Sequence, residues 1–312
     1  MEEPSWPRIC ILIHVVLPTY RPDSDWLIVQ LNSILRQSQV SLRIWLCPDG
    51  SDETVTSAVC GFGDERITVL PFESRIGLLA NVQRGLEAAL ASSAPNDFFA
   101  FADQDDIWHA DKLAKSLAEL PAGPVAACTH DARVVDAAGQ LLAPSLHGYE
   151  RRHHYLDQFA LLIANTVSGM TMLMSREAVL RALPFPDSIP EMLHDWWMTL
   201  VVSGTGRIAR VDEALLDYRQ HRANTIGARP VDTSSQFTLR PRRPFLGRRY
   251  RKMARDAFES RKRIALELRD RDALSAEAAD FFLGRNFLVM LRPWRGGAAR
   301  YAVRCGIGMM LS

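Results

Sequence analysis

The feature of this sequence that most constrains the fold is a regular alternation of strand-like and helix-like segments through its first two-thirds. Short runs rich in Ile, Val and Phe predict buried strands, whereas apolar residues at helical spacing predict amphipathic helices. The predicted strands are Ile9–Leu17, Ser41–Cys47, Ile67–Leu70 and Asp97–Ala102. The predicted helices are Trp26–Leu35, Leu78–Leu90 and Asp111–Leu120. This alternation predicts βαβ units, and hence an α/β fold with a largely parallel sheet flanked by helices.

The composition is that of a folded protein with a substantial core. Of 312 residues, 47% are hydrophobic and 23% are charged, which excludes disorder and fibrous repeats. The five cysteines are scattered without a CxxC pair, so neither a disulfide framework nor a zinc site is expected. The apolar run Ile9–Leu17 is too short to cross a bilayer, and Glu2 and Glu3 precede it where a signal peptide would carry basic residues. We therefore expect a cytoplasmic protein.

Polar clusters follow the predicted strands. The carboxyl ends of parallel strands meet at one edge of the sheet, and ligands of α/β proteins bind beyond that edge. The clusters are Thr19-Tyr20, Asp49-Gly50-Ser51, Arg75 with Asn81, and Asp103–Asp106. Neither GxGxxG after the first strand nor GxxxxGK[ST] occurs, so the two best-known phosphate-binding loops are absent. If a phosphate binds here, another group must neutralise its charge.

The acidic cluster Asp103-Gln104-Asp105-Asp106 is the candidate for that group. In an extended chain Asp103 and Asp105 point to one face and Asp106 to the other. Two carboxylates on one face repel each other unless a cation or a proton intervenes, and hard oxygen ligands suit Mg²⁺ or Mn²⁺. The alternative is a solvated helix N-terminus in which Asp106 or Asp111 caps the following helix.

Four motifs occur in an order that resembles the family 2 glycosyltransferases. They are Leu17-Pro18-Thr19-Tyr20, Pro48-Asp49-Gly50-Ser51-Asp52, Ala102–Trp108 and His194-Asp195-Trp196-Trp197. Within that family the closest likeness is to bacterial rhamnosyltransferase-type enzymes, and Tyr218-Arg219-Gln220-His221 contributes to it. The resemblance covers residues 9–228 and implies a GT-A fold and inverting, metal-dependent transfer from a nucleotide-sugar donor.

The resemblance implies a nucleotide pocket. The residues carried over to it are Pro18, Thr19, Tyr20, Asp49, Arg75, Asn81 and Asp103. Tyr20 would lie beside the base, Asp49 would accept a hydrogen bond from the imide N–H of uracil or thymine, and Asp103 would reach the ribose. Pro48 departs from the family pattern, because an acid usually stands at that position. For Arg75 the alternative is a surface cation on a loop.

The resemblance also implies a divalent metal, Mg²⁺ or Mn²⁺, on the donor diphosphate. Asp105 and Asp106 are the candidate carboxylate ligands, and His221 lies where related enzymes place a residue by the metal or diphosphate. A structural role is the alternative for His221. Asp195 resembles the catalytic base that takes the proton from the acceptor hydroxyl. The alternative for Asp195 is an N-cap of the apolar helix that follows it.

Aromatic residues beside these motifs are candidates for contact with sugars. Trp108, Trp196 and Trp197 are predicted to stack on sugar faces, with anchoring of the core as the alternative. The segment Ser168–Thr171 is assigned to the acceptor side. The conformation of the loop Ala143–Tyr155, on which specificity depends, does not follow from the sequence.

The C-terminal third differs from the rest in charge. Between Arg240 and Arg263 there are eleven Lys/Arg and two acids, interleaved with bulky apolar residues, although the whole chain has a net charge of only +1. We predict a catalytic domain at 1–230, with a nucleotide-sugar half at 9–110 and an acceptor half at 111–228, and a basic amphipathic helical region at 231–312. Such helices bind anionic bilayer surfaces, here at the inner face of the membrane. The alternative is packing on the catalytic domain; nucleic acid is not expected, because no nucleic-acid-binding motif accompanies the charge.

The function expected from these features is metal-dependent inverting transfer of a sugar from a UDP- or dTDP-sugar to a glycan or lipid-linked acceptor in bacterial surface polysaccharide synthesis. Rhamnose is the sugar that the closest resemblance suggests. One alternative is a non-catalytic protein that binds sugar nucleotides or acts as a scaffold. Another is a sugar-nucleotide nucleotidyltransferase, but the segment Leu17–Asp23 lacks the Gly-rich basic loop that such an enzyme needs.

Overall fold

The computed structural model of this chain describes most of the four sequence motifs and part of the C-terminal region. The described residues are 11–50, 55, 57, 59, 61–72, 74–152, 155–189, 192–221, 224, 228 and 248–284. The predicted domain boundary near residue 230 and the part of the predicted basic region beyond residue 284 lie outside these residues.

Strands and helices alternate in the first part of the described chain, as the sequence predicts. The strands are β1 (Leu12–Thr19), β2 (Ser41–Pro48), β3 (Ile67–Val69), β4 (Phe98–Phe101), β5 (Ile107–Trp108), β6 (Ala126–Asp136), β7 (Leu141–Ala143), β8 (Leu173–Ser175) and β9 (Arg207–Gln220). The helices are α1 (Ser24–Leu35), α2 (Leu78–Ala91), α3 (Lys112–Ala118), α4 (Leu146–Glu150), α5 (Gln158–Ile163), α6 (Arg176–Ala182), α7 (His194–Thr205), α8 (Arg248–Asp270) and α9 (Ala276–Phe282).

The strands form one mixed sheet in the order β3-β2-β1-β4-β8-β6-β9-β5, and β7 pairs with β6. The predicted parallel pairing holds from β3 through β2 and β1 to β4. Beyond β4 the sheet departs from that prediction, because β8 runs antiparallel to both β4 and β6, although β6 and β9 are parallel to each other. The sheet is therefore parallel from β3 to β4 and mixed from β8 onward.

The two faces of β1 pack against different helices. Val16 faces the cluster that contains Val82 and Leu86 of α2, whereas Val15 faces the cluster that contains Leu27 of α1. This follows from the alternation of side chains along a strand. At Gly85 of α2 an added Cβ would lie only 2.6 Å from Val16 Cγ1, so glycine lets this helix approach the sheet closely.

The C-terminal helices α8 and α9 complete the core rather than standing apart from it. Phe258 of α8, Phe281 of α9 and Phe159 of α5 are fully buried, and the rings of Phe159 and Phe281 lie 5.2 Å apart. The buried Arg261 of α8 donates from Nε to the carbonyl oxygen of Leu162 at 2.8 Å. Packing on the domain, one of the two alternatives for this region, accounts for the apolar face of α8.

None of the helices in the described part of the chain combines the length and the apolar character that a membrane-spanning helix requires.

Candidate active site

A pocket of about 350 Å³ lies beyond the carboxyl ends of β1, β2 and β4 and reaches the start of α7. A volume of this size is typical of small-molecule sites. The residues predicted from sequence that line it are Pro18, Thr19, Tyr20, Asp49, Arg75, Asn81, Asp103, Asp105 and Asp195. Ser168 and Gly169, from the segment assigned to the acceptor side, line it as well. The pocket therefore brings together residues that are as far apart in the sequence as Pro18 and Asp195.

On the side of the pocket where the sequence predicts the nucleotide, Asp49 is the centre of a hydrogen-bond network. Its carboxylate is nearly buried and accepts backbone hydrogen bonds from Ile76 at 2.7 Å and from Gly77 at 3.0 Å, which fixes the loop before α2. The Arg75 guanidinium lies 4.1 Å from the centre of the Tyr20 ring and 4.0 Å from Asp49 Oδ2. Tyr20, Arg75 and Asp49 thus form one contiguous wall, where the sequence predicts the base.

Asn81 supports that wall from below. It is buried in the first turn of α2, and its Nδ2 donates to the Cys47 carbonyl at 2.7 Å, while its Oδ1 accepts from Arg84 at 2.7 Å. These bonds join the start of α2 to the end of β2. Asn81 therefore reaches the pocket and also holds together two of the elements that build it.

The acidic segment after β4, residues Asp103–Asp106, presents its side chains to two different environments. Asp103 and Asp105 line the pocket, whereas Asp106 is 0% exposed and points away from it, as the alternation of side chains predicts. Burial, followed by the nearby Asp105 and Asp195 carboxylates, raises the pKa of Asp103 to about 7. A cation is favoured beside a carboxylate whose charge is destabilised by burial and by neighbouring carboxylates, as that of Asp103 is.

This geometry contradicts the prediction that Asp106 is a metal ligand. Its Oδ1 accepts from the backbone N–H of Arg219 at 3.2 Å, behind the pocket wall. Burial, followed by the charges of Asp103 and Asp105, raises the pKa of Asp106 well above its ordinary value. The alternative in which Asp106 caps the next helix is also excluded, since Asp111 occupies the N-cap position of α3.

His221 follows β9 and lies beside Asp105, the other residue predicted to hold a metal. Its Nε2 lies 2.7 Å from Asp105 Oδ2, and its ring lies 4.7 Å from that of Trp26, with an angle of 41° between the two planes. A carboxylate oxygen and an imidazole nitrogen suit Mn²⁺, and a carboxylate with phosphate oxygens suits Mg²⁺. Within the described residues no group of three or more His, Cys, Asp or Glu side chains converges as a metal site. The donor set available here, Asp105 and His221 with Asp103 nearby, fits a cation whose shell is completed by a diphosphate.

Asp195 lies in the first turn of α7 and faces the pocket. The N-cap position belongs to Leu193, so capping does not explain Asp195. Its Oδ2 accepts from the backbone N–H of Gly169 at 3.1 Å, and its Oδ1 accepts from Asn165 Nδ2 at 3.4 Å. A Cβ at Gly169 would lie 2.7 Å from His194 Nε2, so the absence of a side chain lets the Gly169 backbone lie close to the His194 ring. The carboxylate is thus held at the pocket wall by neighbours on the acceptor side.

The three tryptophans predicted to stack on sugar faces are buried, which contradicts that prediction. Trp108, Trp196 and Trp197 are 3%, 7% and 0% exposed, and none of them lines the pocket. The indole N–H groups of Trp196 and Trp197 donate to the carbonyl oxygens of Leu161 and Ala182, both at 2.8 Å. Their rings anchor the core, which was the alternative interpretation. A side chain buried at this level offers no free face to a ligand.

Two charged pocket residues were not found from sequence. Glu150, at the end of α4, and Arg152, just after it, line the acceptor side and pair at 2.7 Å. Arg152 also donates to Ser168 Oγ at 2.9 Å. Both belong to the loop Ala143–Tyr155, whose conformation depends on distant contacts. No local pattern identifies them.

Comparison with known proteins identifies the family of this chain. The sequence profile described as "Glycosyl transferase family 2" matches residues 14–182, which is more than half of the chain. The chain therefore belongs to glycosyl transferase family 2, a class of sugar-transferring enzymes. The expectation drawn from the four sequence motifs is thereby confirmed at the level of the family.

One curated relative and two solved structures illustrate the similarity. The chain is 28% identical over 109 residues to the UDP-Glc:alpha-D-GlcNAc-diphosphoundecaprenol beta-1,3-glucosyltransferase WfgD of Escherichia coli. That match covers 35% of this chain and 41% of the relative, less than half of either.

The structural matches extend over more of the chain. TarS 1-349 of S. aureus, in complex with UDP-GlcNAc, matches with a TM-score of 0.57 and 18% identity over 89% of this chain and 73% of that one. The mannosyltransferase PcManGT of Pyrobaculum calidifontis, in complex with GDP-Man and Mn²⁺, matches with a TM-score of 0.54 and 16% identity over 96% of this chain and 74% of that one. At these identities the likeness shows the fold, which is the GT-A fold expected from sequence.

Proposed function

We propose that this protein is a metal-dependent inverting glycosyltransferase that uses a UDP- or dTDP-sugar as donor and a glycan or lipid-linked acceptor. The observation that carries the proposal is that one pocket is lined both by Asp105, the candidate metal ligand, and by Asp195, the candidate base. Rhamnose remains the candidate sugar from the sequence likeness. A bacterial surface polysaccharide is the proposed product.

The residues of the pocket supply the parts that a single displacement needs. The acceptor oxygen attacks the anomeric carbon as the bond from that carbon to the diphosphate oxygen breaks, which inverts the configuration. Asp195 accepts the proton of the acceptor hydroxyl as the new bond forms. Hydrogen bonds from Gly169 and Asn165 orient its carboxylate toward the acceptor side. Asp49, with Tyr20 and Arg75, holds the base on the opposite side of the pocket.

The departing diphosphate carries the charge that the reaction develops. A divalent metal at Asp105 and His221 acts, when bound, as a Lewis acid that stabilises this charge. Asp103 holds the ribose, so that the nucleoside end of the donor is fixed next to the diphosphate. PcManGT, a structural neighbour that carries Mn²⁺ with GDP-Man, supports a metal in this fold.

The first prediction tests the donor class directly. UDP- and dTDP-sugars are offered to the full-length protein with Mg²⁺ or Mn²⁺, and release of nucleoside diphosphate is measured. We expect at least one donor to be hydrolysed slowly without acceptor, because the pocket already contains the metal ligand and the base. EDTA should stop this release. A protein that binds a donor but releases no diphosphate with any metal would instead be a non-catalytic member of the family.

A lipid-linked acceptor and an anionic membrane surface are proposed together. The name of the relative WfgD specifies a diphosphoundecaprenol-linked acceptor, which supports an acceptor of that class here. The cations Lys252, Arg255 and Arg263 of α8 are exposed, on the side opposite its packed apolar face. Because Phe258 is already buried against the domain, we assign membrane attraction to the exposed charge rather than to inserted apolar residues. A cytoplasmic location, peripheral at the inner face of the membrane, follows as part of this proposal.

The second prediction concerns that surface. The triple variant Lys252→Glu, Arg255→Glu and Arg263→Glu should bind anionic liposomes much more weakly than the wild type. Each cation near an anionic surface contributes on the order of 1 kcal/mol, so six units of charge change have a large effect. Co-sedimentation with anionic and neutral vesicles at two salt concentrations is the measurement, since about 0.1 M salt screens charges beyond about 10 Å.

A control with the same change in charge separates position from net charge. Arg36, Arg181 and Arg207 are exposed on other elements, and their replacement by Glu should leave most of the binding intact. Equal binding to neutral vesicles, or equal losses in the two triple variants, would contradict docking through α8. A truncation before α8 is avoided, because it would remove Phe258 and Phe281 from the core.

A further inference from the structure

The acidic segment Asp103–Asp106, called here the metal loop, is held in place by side chains from two distant elements. From α1, Gln30 donates through Nε2 to the Asp103 carbonyl oxygen at 2.8 Å. Gln30 is 0% exposed, and its Oε1 accepts from Ser33 Oγ at 2.9 Å, so the orientation of its amide is set. The carbonyl at the start of the loop is therefore anchored to a rigid helix.

Arg219, at the end of β9, anchors the other end of the metal loop. Its Nε donates to the Asp105 carbonyl oxygen at 2.9 Å, and its backbone N–H donates to Asp106 Oδ1 at 3.2 Å. One further donor of the guanidinium, NH1, bonds the Ala137 carbonyl oxygen at 2.9 Å in the turn after β6. Arg219 thus joins the loop, β9 and the turn after β6, and it is only 5% exposed.

Arg219 contacts the same aromatic ring as the candidate metal ligand His221. The Arg219 guanidinium lies 5.2 Å from the centre of the Trp26 ring, and the His221 ring lies 4.7 Å from it. Trp26 of α1 therefore contacts both the residue that holds the Asp105 backbone and the imidazole that contacts the Asp105 side chain. The planar guanidinium supplies a cation–π contact and two carbonyl bonds at once, a combination that a lysine cannot reproduce.

The hydrogen bonds from Gln30 and Arg219 counteract electrostatic repulsion within the metal loop. Carboxylates that share one face repel, so an unsupported loop would spread Asp103 and Asp105 apart before a cation arrives. Bonds to backbone carbonyls hold the loop without consuming the carboxylate oxygens that a metal needs. Outer partners of this kind orient metal ligands, and their removal typically costs about 10–100-fold in metal affinity.

We propose that Arg219 is a positioning residue for the metal site, holding Asp105 through its backbone carbonyl while Gln30 holds Asp103 in the same way. The inference rests on the proposed function, because it requires that the metal bind at Asp105. It predicts that affinity for the metal depends on a residue that never touches the metal.

The test is Mn²⁺ binding to the full-length protein, measured by electron paramagnetic resonance in the presence of UDP and again with dTDP. Arg219→Met should weaken Mn²⁺ binding by about 10–100-fold. Arg219→Lys should remain clearly weakened, since it keeps the charge but loses the fork. Turnover of Arg219→Met should recover substantially when Mn²⁺ is raised to saturation, so the loss should fall on the KM for the metal rather than on kcat.

Arg133→Met is the matched control. Arg133 also bonds β9 through two nitrogens, to Asp217 at 2.5 and 2.7 Å, but it does not contact the metal loop. Its loss should leave Mn²⁺ affinity close to that of the wild type. If Arg219→Met does not fold, Gln30→Met provides the same test from the other end of the loop.

The outcomes separate the inference from the function beneath it. Wild-type affinity for Mn²⁺ in Arg219→Met would overturn the positioning role, as would equal losses in Arg219→Met and Arg133→Met. Full rescue by Arg219→Lys would show that charge alone matters, which also overturns it. Wild-type protein whose Mn²⁺ binding is absent, or is unaffected by Asp105→Asn, would instead refute the proposed metal site, and the inference would fall with it.

Discussion

Asp195→Asn is expected to lower the rate of sugar transfer by roughly 10²–10⁴-fold while leaving donor and metal affinity nearly unchanged. The amide keeps the shape of the carboxylate and one of its two oxygens, which can accept from Gly169 or from Asn165 but not from both, so the pocket should retain most of its geometry. The variant loses the ability to take the proton from the acceptor hydroxyl, together with one of these two orienting hydrogen bonds. Transfer at saturating donor and acceptor, together with the Kd of the donor, separates these effects.

Asp187→Asn is the control for this experiment. Asp187 is exposed and lies outside the pocket, so its replacement should change neither rate nor affinity. A variant at Asp195 that loses donor affinity but keeps its rate at saturation would assign that residue to binding. An unchanged rate would show that the proton leaves by another route.

Asp105→Asn should have the larger effect on the donor side. We expect turnover to fall by about 10³-fold or more, because charge stabilisation by a metal is worth several kcal/mol in a transition state. Mn²⁺ affinity should fall at the same time, since the variant removes the carboxylate that contacts His221. Turnover against Mn²⁺ concentration, with and without EDTA, measures both quantities.

Asp106→Asn provides the contrast one residue away. The Asp106 side chain lies outside the pocket, and asparagine keeps an oxygen that accepts from the backbone N–H of Arg219. Its effect on Mn²⁺ affinity should therefore be far smaller than that of Asp105→Asn. Comparable losses in the two variants would return Asp106 to the metal site. Near-normal turnover of Asp105→Asn in EDTA would remove the metal from the reaction altogether.

Local patterns in the sequence were sufficient for the parallel half of the fold. The apolar runs and helical periodicities locate β1 to β4 and α1 to α3 within a few residues of their observed bounds. Most of the predicted pocket residues follow from this, because carboxyl ends of parallel strands share one edge of the sheet. Thr19, Asp49 and Asp103 are far apart in the chain and adjacent in the pocket for that reason.

The burial of the three candidate tryptophans was decided by tertiary contacts and not by local sequence patterns. Trp108, Trp196 and Trp197 have the chemistry to stack on sugars, but a pattern of neighbours along the chain does not reveal which side of a helix or strand another element covers. The rings are covered by the chain itself: the Lys112 Nζ lies 3.6 Å from the centre of the Trp108 ring, and the Arg261 guanidinium lies 4.4 Å from that of Trp196.

The sequence by itself determined the family, the parallel α/β half, and the positions of the nucleotide, metal and base candidates, because each depends on short motifs or on local periodicity. Only the tertiary structure decided that Trp196 and Trp197 are buried, that α8 buries Phe258 against the domain, and that Arg219 reaches the Asp105 carbonyl. Those contacts join residues more than a hundred positions apart in the case of Arg219. They depend on the pairing of β9 with β5 and β6, for which no local pattern of residues is a sufficient signal.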